Sequence, residues 1–210
     1  MSENTVFVRC WQPEDERLAA DRREILRYAG CPAGEADEEL LRLLDETMTE
    51  LDGAFSYRVC LRRMALTWRG ETPELPFSSE SKSLAKCLRG CNEIIMFGAT
   101  VGIEVDRFIA RYQHISPAKA LLAQAYGAER VECLCDVFCD EMRNEAAGEG
   151  LRCTPRFSPG YGDLPLEVQS ELFRLLDCTR RIGVSLGGSL LMTPSKSVTA
   201  VFGLAPQEIK

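Results

Sequence analysis

Glu93-Ile94-Ile95-Met96-Phe97-Gly98-Ala99-Thr100-Val101-Gly102 is the stretch on which the fold turns. Ile94 to Phe97 are apolar without alternation, the pattern of a strand covered on both faces. Before it, the residues from Ser79 read as a helix through Leu88 with a stop at Gly90. After it, Gly98 to Gly102 reads as a turn into a helix over Ile103 to Tyr112. A strand, glycine turn and helix in succession can cradle an anion on backbone amides. The glycine spacing is neither G-x-G-x-x-G nor G-x-x-x-x-G-K, so close packing of helix on strand is the preferred reason for these glycines.

Moving outward toward the N-terminus, Thr5 to Cys10 reads as a short strand and Asp21 to Tyr28 as a helix stopped at Gly30. In Ala36 to Leu51, Leu40, Leu41, Leu44, Met48 and Leu51 recur at three- and four-residue steps, predicting an amphipathic helix. Tyr57 to Trp68 is a strand or hairpin, and Thr72 to Pro76 a proline-punctuated loop. Toward the C-terminus, Pro117 opens a helix that runs to about Glu145 with an interruption at Gly127. Arg156 to Tyr161 is a proline-glycine turn and Leu164 to Leu176 a helix. Val184 to Leu191 and Val198 to Leu204 are strand candidates on either side of Thr193-Pro194-Ser195-Lys196, paired across a terminal hairpin. The fold class is therefore α+β, a single domain over residues 1–210 with mixed helices and a mainly antiparallel twisted sheet.

The chain has 210 residues, 45% of them hydrophobic, enough for a core without disulfides or metals. Its net charge of -7 speaks against nucleic acid, whose affinity rests on Lys and Arg neutralising phosphates, and against anionic membrane surfaces. A neutral or basic protein partner fits better. No apolar run approaches the roughly 20 residues that cross a bilayer, and Met1 to Asp15 is polar and acidic, unlike an export signal. The cytoplasm is the expected compartment.

Ten cysteines are present without any C-x-x-C spacing. Cys133, Cys135 and Cys139 fall in a helical stretch where 135 and 139 share a face, and Cys87 and Cys91 lie one turn apart. Small buried fillers are the preferred reading, with an iron-sulfur or zinc site as the alternative and no metal assigned. His114 is the only histidine, which rules out multi-histidine metal sites. It reads as a residue near a helix C-terminus, where the macrodipole favours a positive charge.

The densest chemical signal is Arg156-Phe157-Ser158-Pro159-Gly160-Tyr161-Gly162-Asp163-Leu164-Pro165. Arg156 offers a fork for a carboxylate, the exposed main chain offers hydrogen bonds, and Tyr161 offers an aromatic face to a cation. The combination suits a zwitterionic ligand. A structural turn carrying a surface arginine is the alternative.

These residues resemble the reactivation domain of cobalamin-dependent methionine synthase and the short free-standing proteins like it. The likeness continues in a helix from Leu164, in Ser185 to Met192 and in Ser195-Lys196-Ser197-Val198-Thr199-Ala200-Val201-Phe202-Gly203. It is fainter through Phe97 to Gly102 and in Asp140-Glu141-Met142-Arg143. Residues 79–210 form the family-like part, and residues 1–78 match less.

The resemblance implies that the turn binds S-adenosylmethionine. Arg156 would hold the methionyl carboxylate, Ser158 and Gly160 would give main-chain contacts, and Tyr161 would lie where the methyl group faces cobalt, the one catalytic position. Glu141 resembles an acidic ligand contact on the long helix, with a solvated helix carboxylate as its alternative. Two departures stand out: Gly162-Asp163-Leu164-Pro165 replaces the family's Pro-x-Cys-Pro, and no acid here matches the family's N-terminal ligand contact.

The implied role is that of an activation subunit in methionine biosynthesis. A partner supplies cobalamin, and an electron plus the methyl of S-adenosylmethionine returns cob(II)alamin to methylcobalamin. Methionine synthase or another corrinoid methyltransferase is the implied partner, with a flavodoxin, ferredoxin or flavin reductase as electron donor. The alternatives are a small-molecule methyltransferase, a non-catalytic module that senses S-adenosylmethionine or scaffolds a corrinoid protein, and a redox or metal protein built on the cysteines.

Overall fold

The computed structural model describes residues 5–31 and 36–207, so the first four residues of the polar N-terminal stretch lie outside it. The chain runs through β1 (Phe7–Trp11), a 3₁₀ turn (Glu16–Leu18), α1 (Arg22–Tyr28), α2 (Glu38–Glu50), β2 (Tyr57–Ala65), β3 (Thr67–Arg69) and β4 (Thr72–Glu74). It continues through α3 (Lys82–Cys87), β5 (Glu93–Thr100), α4 (Glu104–Tyr112), α5 (Pro117–Gly148) and β6 (Leu151–Cys153). It ends with α6 (Val168–Leu176), α7 (Cys178–Ile182), β7 (Ser185–Leu186), β8 (Met192–Thr193) and β9 (Ser197–Pro206).

Five strands form one sheet in the order β1-β2-β5-β9-β6, every neighbouring pair antiparallel. The unbroken apolar run in β5 has a direct cause. Successive side chains of a strand point to opposite faces, and both faces are covered. Ile95, Phe97 and Ala99 join Phe138 and Met142 of α5 in one core, with Ile25 of α1 and Leu44 of α2. Ile94 and Met96 join Leu84 of α3, Leu172 of α6 and Ile182 of α7 in a second core on the other face. The result is an antiparallel sheet between two helical layers.

Several local expectations change in three dimensions. Gly98 is no turn residue: β5 runs through it, and a Cβ there would come 2.9 Å from Cys178 Sγ and 3.4 Å from Cys60 Sγ. The glycine lets the start of α7 press on the sheet, and the true turn is at Gly102, with φ at +88°. Gly127 does not interrupt α5. A Cβ there would lie 2.8 Å from Val105 Cγ1 and 2.9 Å from Lys196 Cγ, so the residue admits α4 and the 194–196 segment against an unbroken helix.

The 57–68 stretch divides into β2 and β3, and β3 pairs with β4 in a ribbon where a loop was expected. α6 starts at Val168 instead of Leu164, because the Leu164 N–H donates to the Tyr161 carbonyl at 3.1 Å and its own carbonyl is used by Gly160. The terminal strands do not pair across residues 193–196. β7 and β8 close a two-residue ladder of their own, and β9 leaves to lie between β5 and β6.

The N-terminal segment is tied to α5 by a buried ion pair. Arg130 is 1% exposed and donates to Glu129 through Nε at 2.6 Å. Its other nitrogens donate to the carbonyls of Leu18 and Ala19, while Glu129 accepts the Asp21 N–H at 3.1 Å. Among the described residues no helix is long and apolar enough to cross a membrane.

Candidate functional site

Arg156 to Tyr161 leaves the sheet in a controlled way. Phe157 makes an isolated antiparallel bridge to Val201 of β9, donating at 2.8 Å and accepting at 2.9 Å. Beyond it the chain folds into a closed turn: Tyr161 N–H donates to the Ser158 carbonyl at 3.1 Å, and Gly160 N–H to the Leu164 carbonyl at 2.9 Å. Gly160 has φ at +84°, a conformation costly for any residue with a Cβ. The left-handed step brings Tyr161 outward, 71% exposed, with its ring edge-on to Phe157 at a centroid distance of 5.8 Å.

Asp163, just beyond Tyr161, anchors this turn to α3. It accepts the Ser81 hydroxyl, the Lys82 N–H at 2.9 Å and the Ser83 N–H at 3.2 Å. The Ser81 bond, followed by those of Ser83 and Lys82, holds its carboxyl down to about 2. Capping the first turn of a helix in this way satisfies amides that have no partner within the helix. The signal in sequence was an Asp behind a glycine, and its partner lay some eighty positions upstream.

Arg156 points at α5. Its two terminal nitrogens donate to Asp136 Oδ1 at 2.9 Å and Glu132 Oε2 at 2.5 Å. Glu132 and Asp136 stand four residues apart on one helical face, a spacing legible in the sequence although the arginine it serves is not. Arg156, Phe157, Ser158 and Tyr161 line an open groove of about 830 Å³ together with Glu132 and, from α3, Ser83 and Lys86. The groove therefore carries two cations, one acid and two aromatic rings, a set that suits a zwitterion with an aromatic part.

Glu141 lies elsewhere. One carboxylate oxygen accepts from Trp11 Nε1 at 2.9 Å and Arg17 at 2.7 Å, and the other from Arg9 at 3.2 Å. Burial raises its pKa, but the bonds from Trp11, Arg17 and Arg9 outweigh that and hold the group below its ordinary value. It lines two neighbouring grooves, one of which shares Glu132 with the site of Arg156.

All ten cysteines are free thiols. Cys135 and Cys139 are buried in the core beneath α5, and burial raises both thiol pKa values. Among the described residues no three His, Cys, Asp or Glu side chains are grouped to hold a metal ion. His114 follows the end of α4 in an exposed turn.

The family described as vitamin B12 dependent methionine synthase, activation domain, matches residues 84–208. A crystal structure of the MetH reactivation domain bound to AdoHcy superposes with a TM-score of 0.71 at 16% identity, covering 100% of this chain and 81% of that one. At such identity the likeness concerns the fold. No curated protein matches the sequence. The match of residues 84–208 takes in more than half of the chain, including most of α3, the sheet strands β5, β6 and β9, and the whole 156–161 turn, and the chain accordingly belongs to the activation-domain family of vitamin B12 dependent methionine synthase.

Proposed function

We propose that this protein binds S-adenosylmethionine in the groove of Arg156 and Tyr161 and serves the reductive methylation of cob(II)alamin carried by a corrinoid partner. The observation that carries the reading is the groove itself, which gathers Arg156, Ser158 and Tyr161 from one turn and belongs to a chain of the activation-domain family. That a relative of the same fold is described with AdoHcy, the demethylated product, supports it.

In this reading Arg156 receives the methionyl carboxylate, Ser158 and Gly160 offer main-chain groups, and Tyr161 sets the exposed edge of the site. The Gly160 N–H is already used by Leu164, which leaves its carbonyl to a ligand. Glu141, the fifth residue expected to contact the ligand, lines the grooves beside this one and its carboxylate serves Arg9, Trp11 and Arg17, so Glu141→Gln tests separately whether the ligand reaches it. The bound groups supply the chemistry: one electron and a sulfonium methyl convert cob(II)alamin to methylcobalamin and release S-adenosylhomocysteine.

The protein's part is orientation. Asp163 fixes the turn to α3 and the Phe157 bridge fixes it to β9, so Tyr161 projects from a rigid base. Holding a reacting centre in line contributes to rate without an acid or base. Tyr161 is exposed, which is what presenting a methyl group to a second protein requires. Electron balance calls for an external donor of the flavodoxin or ferredoxin class, and the setting is cytoplasmic.

Calorimetric titration with S-adenosylmethionine tests the ligand, with loss of binding expected for Arg156→Ala. Reconstitution with a cob(II)alamin-loaded methionine synthase, a reductant and S-adenosylmethionine tests the role. Appearance of the methylcobalamin spectrum is expected. Ligand binding without that change would reduce the function to sensing or scaffolding.

A further inference from the structure

We propose that Lys86 is a second anchoring residue for the carboxylate of the ligand, facing Arg156 across the groove. The inference rests on the S-adenosylmethionine reading of that groove and adds a residue to it.

Of the residues that line the groove, only Lys86 and Arg156 are cationic. Arg156 is engaged at both terminal nitrogens, by Asp136 at 2.9 Å and Glu132 at 2.5 Å. A carboxylate that seeks its fork must share those nitrogens with two acids already in place. The Lys86 carbonyl takes part in closing the end of α3, but its ammonium has no hydrogen bond or ion pair among the described residues. An arriving carboxylate therefore finds its first uncontested cation on α3.

The position of Lys86 is fixed by the fold. Leu84 is fully buried beneath α3, as is Leu88 just past its end, which turns Ser83 and Lys86, three residues apart on the same helix, toward the groove. Asp163 clamps the start of α3 to the ligand turn, so the wall with Lys86 and the wall with Tyr161 keep their spacing. Glu132 lines the same groove and is its only carboxylate. A zwitterionic α-amino acid then has a complementary seat, its carboxylate between Lys86 and Arg156 and its ammonium toward Glu132. Lysine is a hydrated point charge on a flexible stem, so its contribution is modest compared with a rigid fork.

The test compares S-adenosylmethionine with decarboxylated S-adenosylmethionine, which keeps the sulfonium and adenosine but lacks the carboxylate. Lys86→Met removes the charge, keeps the stem and alters an exposed position. Calorimetry should show Lys86→Met binding S-adenosylmethionine roughly three- to tenfold more weakly than the unaltered protein, the range for an accessible charged contact. Both proteins should bind the decarboxylated compound equally. Unchanged affinity for S-adenosylmethionine, or an equal loss for both compounds, overturns the assignment of Lys86 while leaving the groove reading intact. Failure of the unaltered protein to bind S-adenosylmethionine overturns the groove reading and this inference with it.

Discussion

Gly160→Ala tests whether the ligand turn has the geometry seen here. Gly160 sits at φ +84°, and a Cβ there would meet Leu166 Cδ1 at 3.3 Å. Placing an L-residue in the left-handed region costs roughly 1–2 kcal/mol. The steric part is small, since the far end of the Leu166 side chain can move. For a chain of this size each kcal/mol lowers Tm by about 2–4 °C, so a drop of roughly 2–8 °C is expected. Gly160→Asn should lose less, because asparagine tolerates this region better than alanine. Gly188→Ala is the matched control: Gly188 has no positive φ and open space where its Cβ would go. Thermal unfolding of the three variants measures the cost, and titration with S-adenosylmethionine measures the effect on the site, with affinity falling for Gly160→Ala alone. Equal Tm and equal affinity for Gly160→Ala and Gly188→Ala would refute the argument that the left-handed step shapes the site.

Arg130→Met leaves Glu129 buried without its partner and should cost about 3–5 kcal/mol in urea unfolding, with far less lost when Glu129 is also made apolar. Gly98→Ala should destabilise by about 1–3 kcal/mol through overpacking against Cys178, and Gly98→Ala with Cys178→Ala should recover part of that loss, a coupling read from the double-mutant cycle. For Asp163 the folded pKa of about 2 lies below the ordinary carboxylate value. Its stabilisation is therefore present above the unfolded pKa and lost as pH falls through the folded one. The Tm difference between the protein and Asp163→Asn should be constant near neutrality and should vanish between about pH 4 and pH 2.

Much of the architecture is local in origin and was legible as such. The apolar run of β5, the heptad-like leucines of α2 and the proline start of α5 each state their own conformation, because propensity and periodicity act over a few residues. Gly98 and Gly127 show the limit. Both look like breaks in a one-dimensional pattern, yet each sits inside a regular element where a distant side chain, Cys178 or Lys196, needs the space of a missing Cβ. The β3–β4 ribbon and the late start, at Val168, of the helix expected from Leu164 were hidden for a related reason, since hydrogen bonds across a turn decided them.

The candidate site divides in the same way. Arg156, Ser158, Gly160 and Tyr161 are contiguous, and the chemistry of a zwitterion clamp follows from their types and their proline-glycine spacing alone. The acids that occupy Arg156, the hydroxyl and amides of α3 that hold Asp163, and the lysine on the opposite wall come from segments some twenty to eighty residues away in sequence. Glu141 was placed near the ligand by resemblance, and its neighbours in space are Arg9, Trp11 and Arg17. Sequence determined which side chains the turn presents, because backbone conformation there is set by Pro159 and Gly160 themselves. Tertiary structure decided which charges those side chains meet, because electrostatic partners are chosen by distance through space, and only the packed sheet and helices determine that distance.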